Sequence, residues 1–482
     1  MVIGQAQFPK QETVAQFGLD IMYLIAAVSV VLAVVGLIMV DTGLVRRQNI
    51  LDNVVQKVIG FLIATGAYAI VGFGVWEWQF YKAFDLGSYG QAISDWWLAG
   101  NFMTEFSGNI NPAVSPGADV SQIFFVFLAV YGGFVAVLVH LGGLERLKPS
   151  AYYIMCAGIG GVFYPLLLWL TWGSTSPLTT AGVHDMLGAF VGYIFAGTFA
   201  FMLARRVGPR AGVFRPDPQG RAPAPYNLGL AGAGVVILLF AIPFVVVGCL
   251  YFFPGDGWFG IAMSTSGIGI VLTNVFMAFV GGGLMGGILA YRESNVVFAL
   301  LGPLAGSVAG ASGFDVVDPW VMLLIGFGAP IPVVLVWKLL QRIEVDEAKI
   351  VPLGLGAGIY GALLVGAVAW GTPTGGFLGI NSGTYAFQNA EINVGWQAIG
   401  VGVAMGTAIV AGLVLVEVLD RVIGLRVSDQ EELEGSDRTH WHMLPVGAEL
   451  TPTAEAFPAM ARSNPGGPTE PTDPARPTGP VR

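Results

Sequence analysis

Charged residues are scarce in this chain of 482 residues: Asp, Glu, Lys and Arg make up 11% of it, whereas 55% is hydrophobic. A soluble domain carries about 25% charged residues. So few charges cannot cover a water-exposed surface, which excludes an ordinary soluble enzyme. The mean hydropathy of +0.71 and the 69 glycines agree with this, and the composition predicts a polytopic membrane protein.

Cysteine and histidine are rarer still. Cys156 and Cys249 each lie in an apolar run, so neither a disulfide framework nor a CxxC metal site is available. The four histidines, at positions 140, 184, 440 and 442, are too scattered for a metal cluster or a catalytic triad. The chain also lacks a P-loop, a Gly-x-Gly-x-x-Gly turn after a strand and a His-Glu-x-x-His motif. We therefore expect no enzyme activity, no cofactor and no nucleic-acid partner.

Long apolar runs are abundant. A bilayer core of about 30 Å needs about 20 apolar helical residues, and eleven runs have this length. They fall near 17–41, 52–75, 119–142, 149–171, 183–205, 227–251, 259–291, 294–312, 319–340, 351–371 and 394–422. The run at 259–291 can also be read as two shorter segments, which would change the parity. The pattern predicts an all-α membrane protein with eleven transmembrane helices.

Basic residues recur in every second loop. They include Arg46 and Arg47, Arg146 and Lys148, the group from Arg205 to Arg221, Arg292, Arg342 and Lys349, and Arg421 and Arg426. Lys and Arg accumulate in short cytoplasmic loops. This distribution therefore predicts an external N-terminus and a cytoplasmic C-terminus in a plasma, or inner, membrane.

Four segments follow from these patterns. We expect an external segment at 1–16, a membrane domain at 17–424, a cytoplasmic segment at 425–442 and a disordered tail at 443–482, which is rich in Pro, Thr, Gly and Ala. The loop at 76–118 carries four tryptophans, Trp76, Trp78, Trp96 and Trp97, and is read either as an interfacial aromatic belt or as a binding vestibule.

An ionisable group in a span is a functional candidate, because burial in lipid is costly. Asp185 opens the fifth span, where a carboxylate accepts hydrogen bonds from free backbone N–H groups. It is a structural N-cap, an acidic group that recruits a cation at the outer mouth, or both. We expect the neighbouring His184 to be exposed at the external interface. The dense glycines, such as Gly354, favour tight helix packing but also suit a narrow pore.

A series of short motifs occurs in a fixed order along the chain. They are Gly43-Leu44-Val45-Arg46, Leu144-Glu145-Arg146 with Ser150-Ala151, Tyr164-Pro165 with Trp172-Gly173, Asp185, Val345-Asp346-Glu347, and Gly424-Leu425-Arg426-Val427 followed by Glu431, Glu432 and Glu434. In this order, with eleven spans, the chain resembles the ammonium transporter/Rh family over about residues 40–440.

The resemblance implies a homotrimer in the lipid bilayer, in which each subunit has a narrow pore between two pseudo-symmetric inverted halves of five spans. By position, Phe134 is similar to a gate phenylalanine. Trp172 is similar to the aromatic residue that attracts an ammonium-sized cation, and Asp185 to the structural carboxylate below it. The family's C-terminal segment can couple the three pores and meet a P-II signalling protein. The resemblance therefore implies a channel-like domain at 17–424 and a cytoplasmic regulatory segment at 425–442. The departure at His442-Met443-Leu444-Pro445 leaves that partner open for this chain.

The chain departs from the family at the pore itself. The family holds two histidines in mid-membrane, whereas here Tyr193 lies near the first position and Gly354 to Gly356 lie at the second. The stretch Gly248-Cys249-Leu250-Tyr251-Phe252-Phe253 also lacks the expected serine. An imidazole pair can relay a proton, but glycine and aliphatic side chains cannot. The predicted function is a channel or transporter for ammonium, ammonia or another small neutral solute. The alternative is a non-conducting sensor or interaction protein.

Overall fold

The protein is represented by a computed structural model that describes residues 14–83, 85–104, 118–173, 175–215, 223–253, 257–260, 267–374 and 390–443. Most of the predicted external segment at 1–16 and nearly all of the predicted tail at 443–482 lie outside the described residues. Residues 105–117 of the tryptophan-rich loop also lie outside them.

Eleven apolar helical segments, numbered here as spans 1 to 11, run through the described residues. They are Asp20–Leu44, Arg47–Lys82, Ser121–Gly143, Pro149–Trp172, Ala189–Val207, Leu228–Val247, Ile268–Glu293, Val297–Gly310, Pro319–Arg342, Pro352–Val368 and Val394–Val422. Nine are long enough to cross a bilayer, and spans 8 and 10 are shorter. The prediction of an eleven-span helical membrane protein is confirmed. A single helix, Ile268–Glu293, covers residues 268–291 of the run at 259–291 that could have been two segments.

The spans are not uniform helices. Their α-helical parts are Val14–Leu44, Ile50–Ala67, Phe73–Trp76, Trp78–Ala83, Ala118–His140, Pro149–Gly158, Tyr164–Trp172, Phe195–Val207, Leu228–Val247, Ile268–Glu293, Val297–Gly310, Pro319–Gly328, Pro330–Arg342, Ile359–Val368 and Val394–Val422. Wider π-helical turns occupy Tyr68–Gly72, Ile159–Phe163, Ala189–Ile194 and Pro352–Gly358. Outside the spans, short helices cover Tyr89–Trp96, Asp429–Glu434 and Ser436–Trp441, and two antiparallel strands cover Leu250–Phe253 and Gly257–Gly260.

Spans 5 and 10 begin in the same way, which identifies the two halves of the fold. Before span 5, the Asp185 carboxylate accepts hydrogen bonds from the N–H groups of Gly188, Ala189 and Phe190 at 2.7–3.1 Å. Before span 10, Glu347 accepts three in the same manner, from residues 349, 350 and 351, at 2.7–3.1 Å. Each carboxylate satisfies the free donors of a helix start. Each of these spans also opens with a π-helical turn, as expected of repeated halves.

The same two spans cross in close contact. A Cβ atom added to Gly354 would lie 2.2 Å from the Tyr193 carbonyl oxygen and 3.0 Å from Gly197 Cα. Only a residue without a side chain allows the backbones to approach this closely. The glycines of span 10 therefore serve helix packing at the centre of the fold.

The loop arginines converge on one side of the molecule, called here the basic face. Arg210 bridges two carboxylates, with Nη1 2.9 Å from Glu145 and Nε 2.7 Å from Asp346. Arg46 also pairs with Glu145, at 2.5 Å, and Arg146 with Asp346, at 3.6 Å. These residues come from four separate loops, so the prediction that these loops share one side is confirmed.

The ion pairs of the basic face shift the protonation of their members. Burial tends to raise the pKa of Asp346, but the Arg210 and Arg146 guanidinium groups outweigh burial and hold that pKa well below its ordinary value. Burial lowers the pKa of Arg146 to about 10, which still leaves it charged at neutral pH. The face is therefore a fixed network of charges.

The opposite side, called here the aromatic face, holds the four tryptophans Trp76, Trp78, Trp96 and Trp97. Trp76 and Trp96 are buried inside the protein, and their rings lie 5.7 Å from Phe124 and 5.3 Å from Phe73 respectively. The expectation that all four tryptophans anchor an interfacial belt or loop is thus wrong for these two. Span 2 continues as helix to Lys82, which carries Trp76 into the core rather than into a loop.

Candidate functional site

A column of aromatic rings leads inward from the aromatic face. The fully buried Trp172 ring lies 5.6 Å from the ring of Tyr131, which in turn lies 6.0 Å from that of Phe134. The Tyr131 hydroxyl donates a 2.7 Å hydrogen bond to the Leu187 carbonyl oxygen. Gly188, with a φ of +88°, makes room for that hydroxyl, because a Cβ atom there would lie 2.4 Å from it. Tyr131 therefore separates Trp172 from Phe134.

Three cavities follow this column toward the basic face. The aromatic-side cavity, of about 20 Å³, is bounded by Tyr131, Phe134 and Tyr193. The central cavity, of about 60 Å³, shares Phe134, Tyr193 and Ile242 with it. The basic-side cavity, of about 220 Å³, shares Leu141 and Lys349 with the central one. The cavities thus form a path that is interrupted by the side chains that border two of them.

The central cavity lies between the two halves of the fold and is almost wholly apolar. Its lining residues are Leu37, Val40, Phe134, Leu138, Leu141, Tyr193, Leu238, Ile242, Leu301, Leu304, Ser307, Val308, Lys349, Ile350 and Leu353. An apolar cavity of this kind stays dry, although the space needed for one water-sized molecule is only about 15 Å³. No histidine is among the described residues that line the three cavities. The site can hold a small uncharged molecule but offers little to stabilise an ion.

The predicted pore residues occupy different parts of this path. Phe134 and Tyr193 border two cavities, and Trp172 stands above them behind Tyr131. Gly354 is at the crossing of spans 5 and 10, against the backbone of Tyr193. Asp185 is fully buried and caps span 5. The structural cap expected for Asp185 is present, whereas the roles of all five residues in transport stay predictions.

His184 is not exposed, so our expectation for it is wrong. Its side chain is fully buried, and Nε2 lies 2.9 Å from Asp315 Oδ1. Its backbone N–H and carbonyl groups bond reciprocally to the Gln397 amide, each at 2.9 Å. Both partners are more than 100 residues away in sequence, so nothing near His184 in the chain signals its burial.

Sequence reasoning also missed two kinds of site residue. Tyr131 carries no signal that sets it apart from Phe134, three residues later on the same helix. Asp41, Lys57 and Lys349 form a buried ion cluster beside the central cavity. A charge inside a predicted span is a recognised signal, and Lys57 lies within the run at 52–75. That one charge could have indicated the cluster.

Comparisons with known proteins agree with this architecture. A family model described as "Ammonium Transporter Family" matches residues 21–444. The chain is 30% identical over 428 residues to "Ammonium transporter Amt2" of Methanocaldococcus jannaschii, covering 86% of this chain and 88% of that protein. It is 27% identical to "Ammonium transporter Amt1" of the same organism, covering 87% and 95% of the two chains.

Solved structures show the same fold. The structure of a protein named "Sensor Amt Protein" superposes with a TM-score of 0.67 at 23% identity, over 89% of this chain and 99% of that one. The crystal structure of Saccharomyces cerevisiae Mep2 superposes with a TM-score of 0.64 at 16% identity, over 87% and 91%. Since the family model spans most of the sequence and the eleven spans match its helical fold, the chain belongs to the ammonium transporter family.

Proposed function

We propose that this protein is a membrane channel that passes ammonia, or another uncharged solute of that size, between the aromatic face and the basic face. The observation that carries the proposal is the row of three cavities through the interface of the two halves. The two smaller cavities are lined almost entirely by apolar side chains. Membership of a transporter family supports transport rather than enzyme catalysis.

The lining favours the neutral form of the solute. An ammonium ion that enters the central cavity loses its water shell, and the apolar side chains around it do not compensate for the lost hydration energy. Tyr193, near the position where the family holds a histidine, has a phenol that ordinarily ionises only near pH 10. It therefore does not relay protons as an imidazole does at neutral pH. The ion would leave its proton outside the cavities.

A non-conducting sensor is the second candidate. It is favoured by the side chains that interrupt the path, Tyr131, Phe134 and Tyr193, each of which is at most 8% exposed. One protein of the same fold is named "Sensor Amt Protein". In this function, the solute would bind and change a contact at the basic face without crossing.

The proposal also includes the orientation of the protein in the membrane, its oligomeric state and the roles of its segments. The basic face is cytoplasmic and the aromatic face external, because arginines accumulate in cytoplasmic loops. The protein forms a homotrimer in the plasma (inner) membrane, with one pore in each subunit. Residues 17–424 form the channel domain and 425–442 the regulatory segment, at which a P-II-type protein could dock.

The test uses purified protein in liposomes, with two readings from the same preparation. An ammonia gradient is applied while internal pH is followed, and ammonium-triggered current is measured on a solid-supported membrane. A pH change above that of empty liposomes, without current, supports the neutral channel. A current shows that charge crosses, which overturns the proposed selectivity. If neither signal exceeds that of empty liposomes, the channel is excluded for this solute, and binding by the sensor is tested by calorimetry.

A further inference from the structure

One hydroxyl group in the wall of the central cavity has no hydrogen-bond partner. Ser307 lies in span 8, is 1% exposed and lines that cavity. Its Oγ contacts no donor or acceptor in the described part of the chain. Burying a hydroxyl without a partner costs free energy, because the group loses its hydrogen bonds to water. Ser307 therefore brings one unused donor and acceptor into an otherwise apolar space.

Threonine hydroxyls in other spans bond to their own helix. The hydroxyls of Thr171, Thr198 and Thr273 donate to carbonyl oxygens four residues earlier, at 3.0, 2.8 and 2.8 Å. For Ser307 that carbonyl belongs to Pro303, and the Ser307 hydroxyl does not donate to it. Bonding of this kind satisfies a hydroxyl inside an apolar helix. Because Ser307 does not use it, its Oγ is available to a solute in the cavity.

The other polar residues of the central cavity lie at its ends. Tyr193 also borders the aromatic-side cavity and Lys349 the basic-side cavity, whereas Ser307 borders only the central one. The Lys349 ammonium already donates a hydrogen bond to Asp41. Asp41 also pairs with Lys57, whose Nζ lies 3.2 Å from its second oxygen. Two lysines thus share one carboxylate beside the cavity, and this balance of charge does not favour a cation there.

We propose that Ser307 binds the solute inside the central cavity by donating a hydrogen bond to the nitrogen lone pair of ammonia. The inference rests on the proposed function and names the residue that selects its solute. Ammonium has no lone pair, so the hydroxyl donates only to the neutral form. A water molecule in a cavity needs about two to four polar partners, more than one hydroxyl supplies. Apolar gases form no hydrogen bond at all. The site therefore favours ammonia over all three.

Ser312 supplies a matched control. It is fully buried, and its Oγ also has no partner among the described residues. Unlike Ser307, it lines none of the three cavities. Ser307→Ala and Ser312→Ala therefore remove the same group, once inside the path and once outside it. If Ser307→Ala does not fold, Ser307→Thr and Ser307→Val replace it, because their side chains have the same shape and only threonine keeps the hydroxyl.

Binding is measured as stabilisation of the purified full chain by ammonia, since a ligand that binds only the folded state raises its stability. Thermal unfolding in micelles is followed with increasing ammonia, at a pH at which the neutral form predominates. We expect Ser307→Ala to need about fivefold more ammonia for the same rise in the unfolding midpoint, as the loss of one neutral hydrogen bond predicts. Ser312→Ala should respond as the wild type does.

The inference is overturned if Ser307→Ala responds as the wild type does, if Ser312→Ala loses the response equally, or if ammonia does not stabilise the wild type. In liposomes, the ammonia concentration that gives half-maximal flux should also rise about fivefold in Ser307→Ala. The unfolding measurement needs no transport. Stabilisation that depends on Ser307, in a protein without ammonia flux, would support the binding site and overturn the channel.

Discussion

Lys57 donates a 2.7 Å hydrogen bond to His140 although the two residues are 83 positions apart in the chain. The contact joins spans 2 and 3 at a point where both side chains are almost completely buried. A lysine and a histidine that share one hydrogen bond stay together only if a carboxylate compensates the charge, and Asp41 does so here. The interior of this membrane protein therefore holds a polar network beside an apolar cavity.

Removing the side chain that closes the upper end of the central cavity should increase conduction. In Tyr193→Ala, the aromatic-side and central cavities merge, because Tyr193 borders both. We expect ammonia flux to rise by about tenfold, which corresponds to about 1.4 kcal/mol of barrier. Stopped-flow measurement of internal pH in liposomes checks this. Tyr291→Ala is the control, since that tyrosine is 91% exposed. Equal fluxes in the two variants would show that Tyr193 does not limit passage.

A methyl group at the crossing of spans 5 and 10 should force the two helices apart. The added Cβ atom of Gly354→Ala meets the Tyr193 carbonyl oxygen at 2.2 Å, and such overpacking costs about 1–3 kcal/mol. The loss is measured as the free energy of unfolding in mixed micelles. Gly402→Ala, with no atom within 4 Å of the new group, should be neutral or slightly stabilising. A Gly354→Ala protein as stable as Gly402→Ala would contradict the close crossing.

Neutralising one carboxylate of the basic face should destabilise the fold. Asp346→Asn removes the charged partner that Arg146 and Arg210 share, although Arg210 keeps its ion pair with Glu145, and breaking a buried pair costs about 3–5 kcal/mol. The side chain of Arg210 is 20% exposed, so we expect the lower end of this range. Chemical denaturation measures it. Arg215→Gln breaks an exposed pair with Glu344 and should cost less than about 1 kcal/mol. If the two variants lost equal free energies of unfolding, solvent would screen the ion pairs of the basic face as fully as the exposed pair.

The helix Ser436–Trp441 is docked on span 2 through hydrogen bonds from His440 and Trp441 to Asp52, and this docking should weaken as the pH rises. The hydrogen bond to Asp52 raises the pKa of His440 above its ordinary value of 6.5, despite partial burial. A raised pKa means that the docked state binds the proton more tightly than the free helix does. The stabilisation is therefore complete below pH 6.5 and is lost as the pH rises through the shifted pKa. Hydrogen exchange of residues 429–443, corrected for its intrinsic pH dependence, should accelerate over that range. His440→Ala should remove the pH dependence.

The membrane architecture could be predicted from the sequence because its causes are local. A helix of about 20 apolar residues has the length of the bilayer core. Because lipid cannot pair backbone N–H and C=O groups, such a segment must be helical to pair them internally. The cap at Asp185 was predictable for the same reason, since its three acceptor bonds reach only five residues along the chain. The order of the short motifs identified the family, which the number of spans alone could not do.

The site was predicted only in part. Phe134 and Tyr193 were singled out and do border the cavities, whereas Tyr131 on the same helix as Phe134 was missed. One helical turn separates Tyr131 from Phe134, and the sequence does not say which ring meets Trp172. His184 was placed at the surface, because its partner Asp315 is 131 positions away.

The sequence alone thus determined that the chain lies in lipid, how many spans it has and that its basic loops share one face. Tertiary structure alone decided which charges meet inside the protein. Lys349 reaches Asp41 across 308 positions, and His440 reaches Asp52 across 388. Hydropathy depends on each residue and its neighbours in sequence, whereas a buried ion pair depends on where two distant helices cross. That crossing is set by the packing of all eleven spans, so the cavities and these buried contacts exist only in the folded protein.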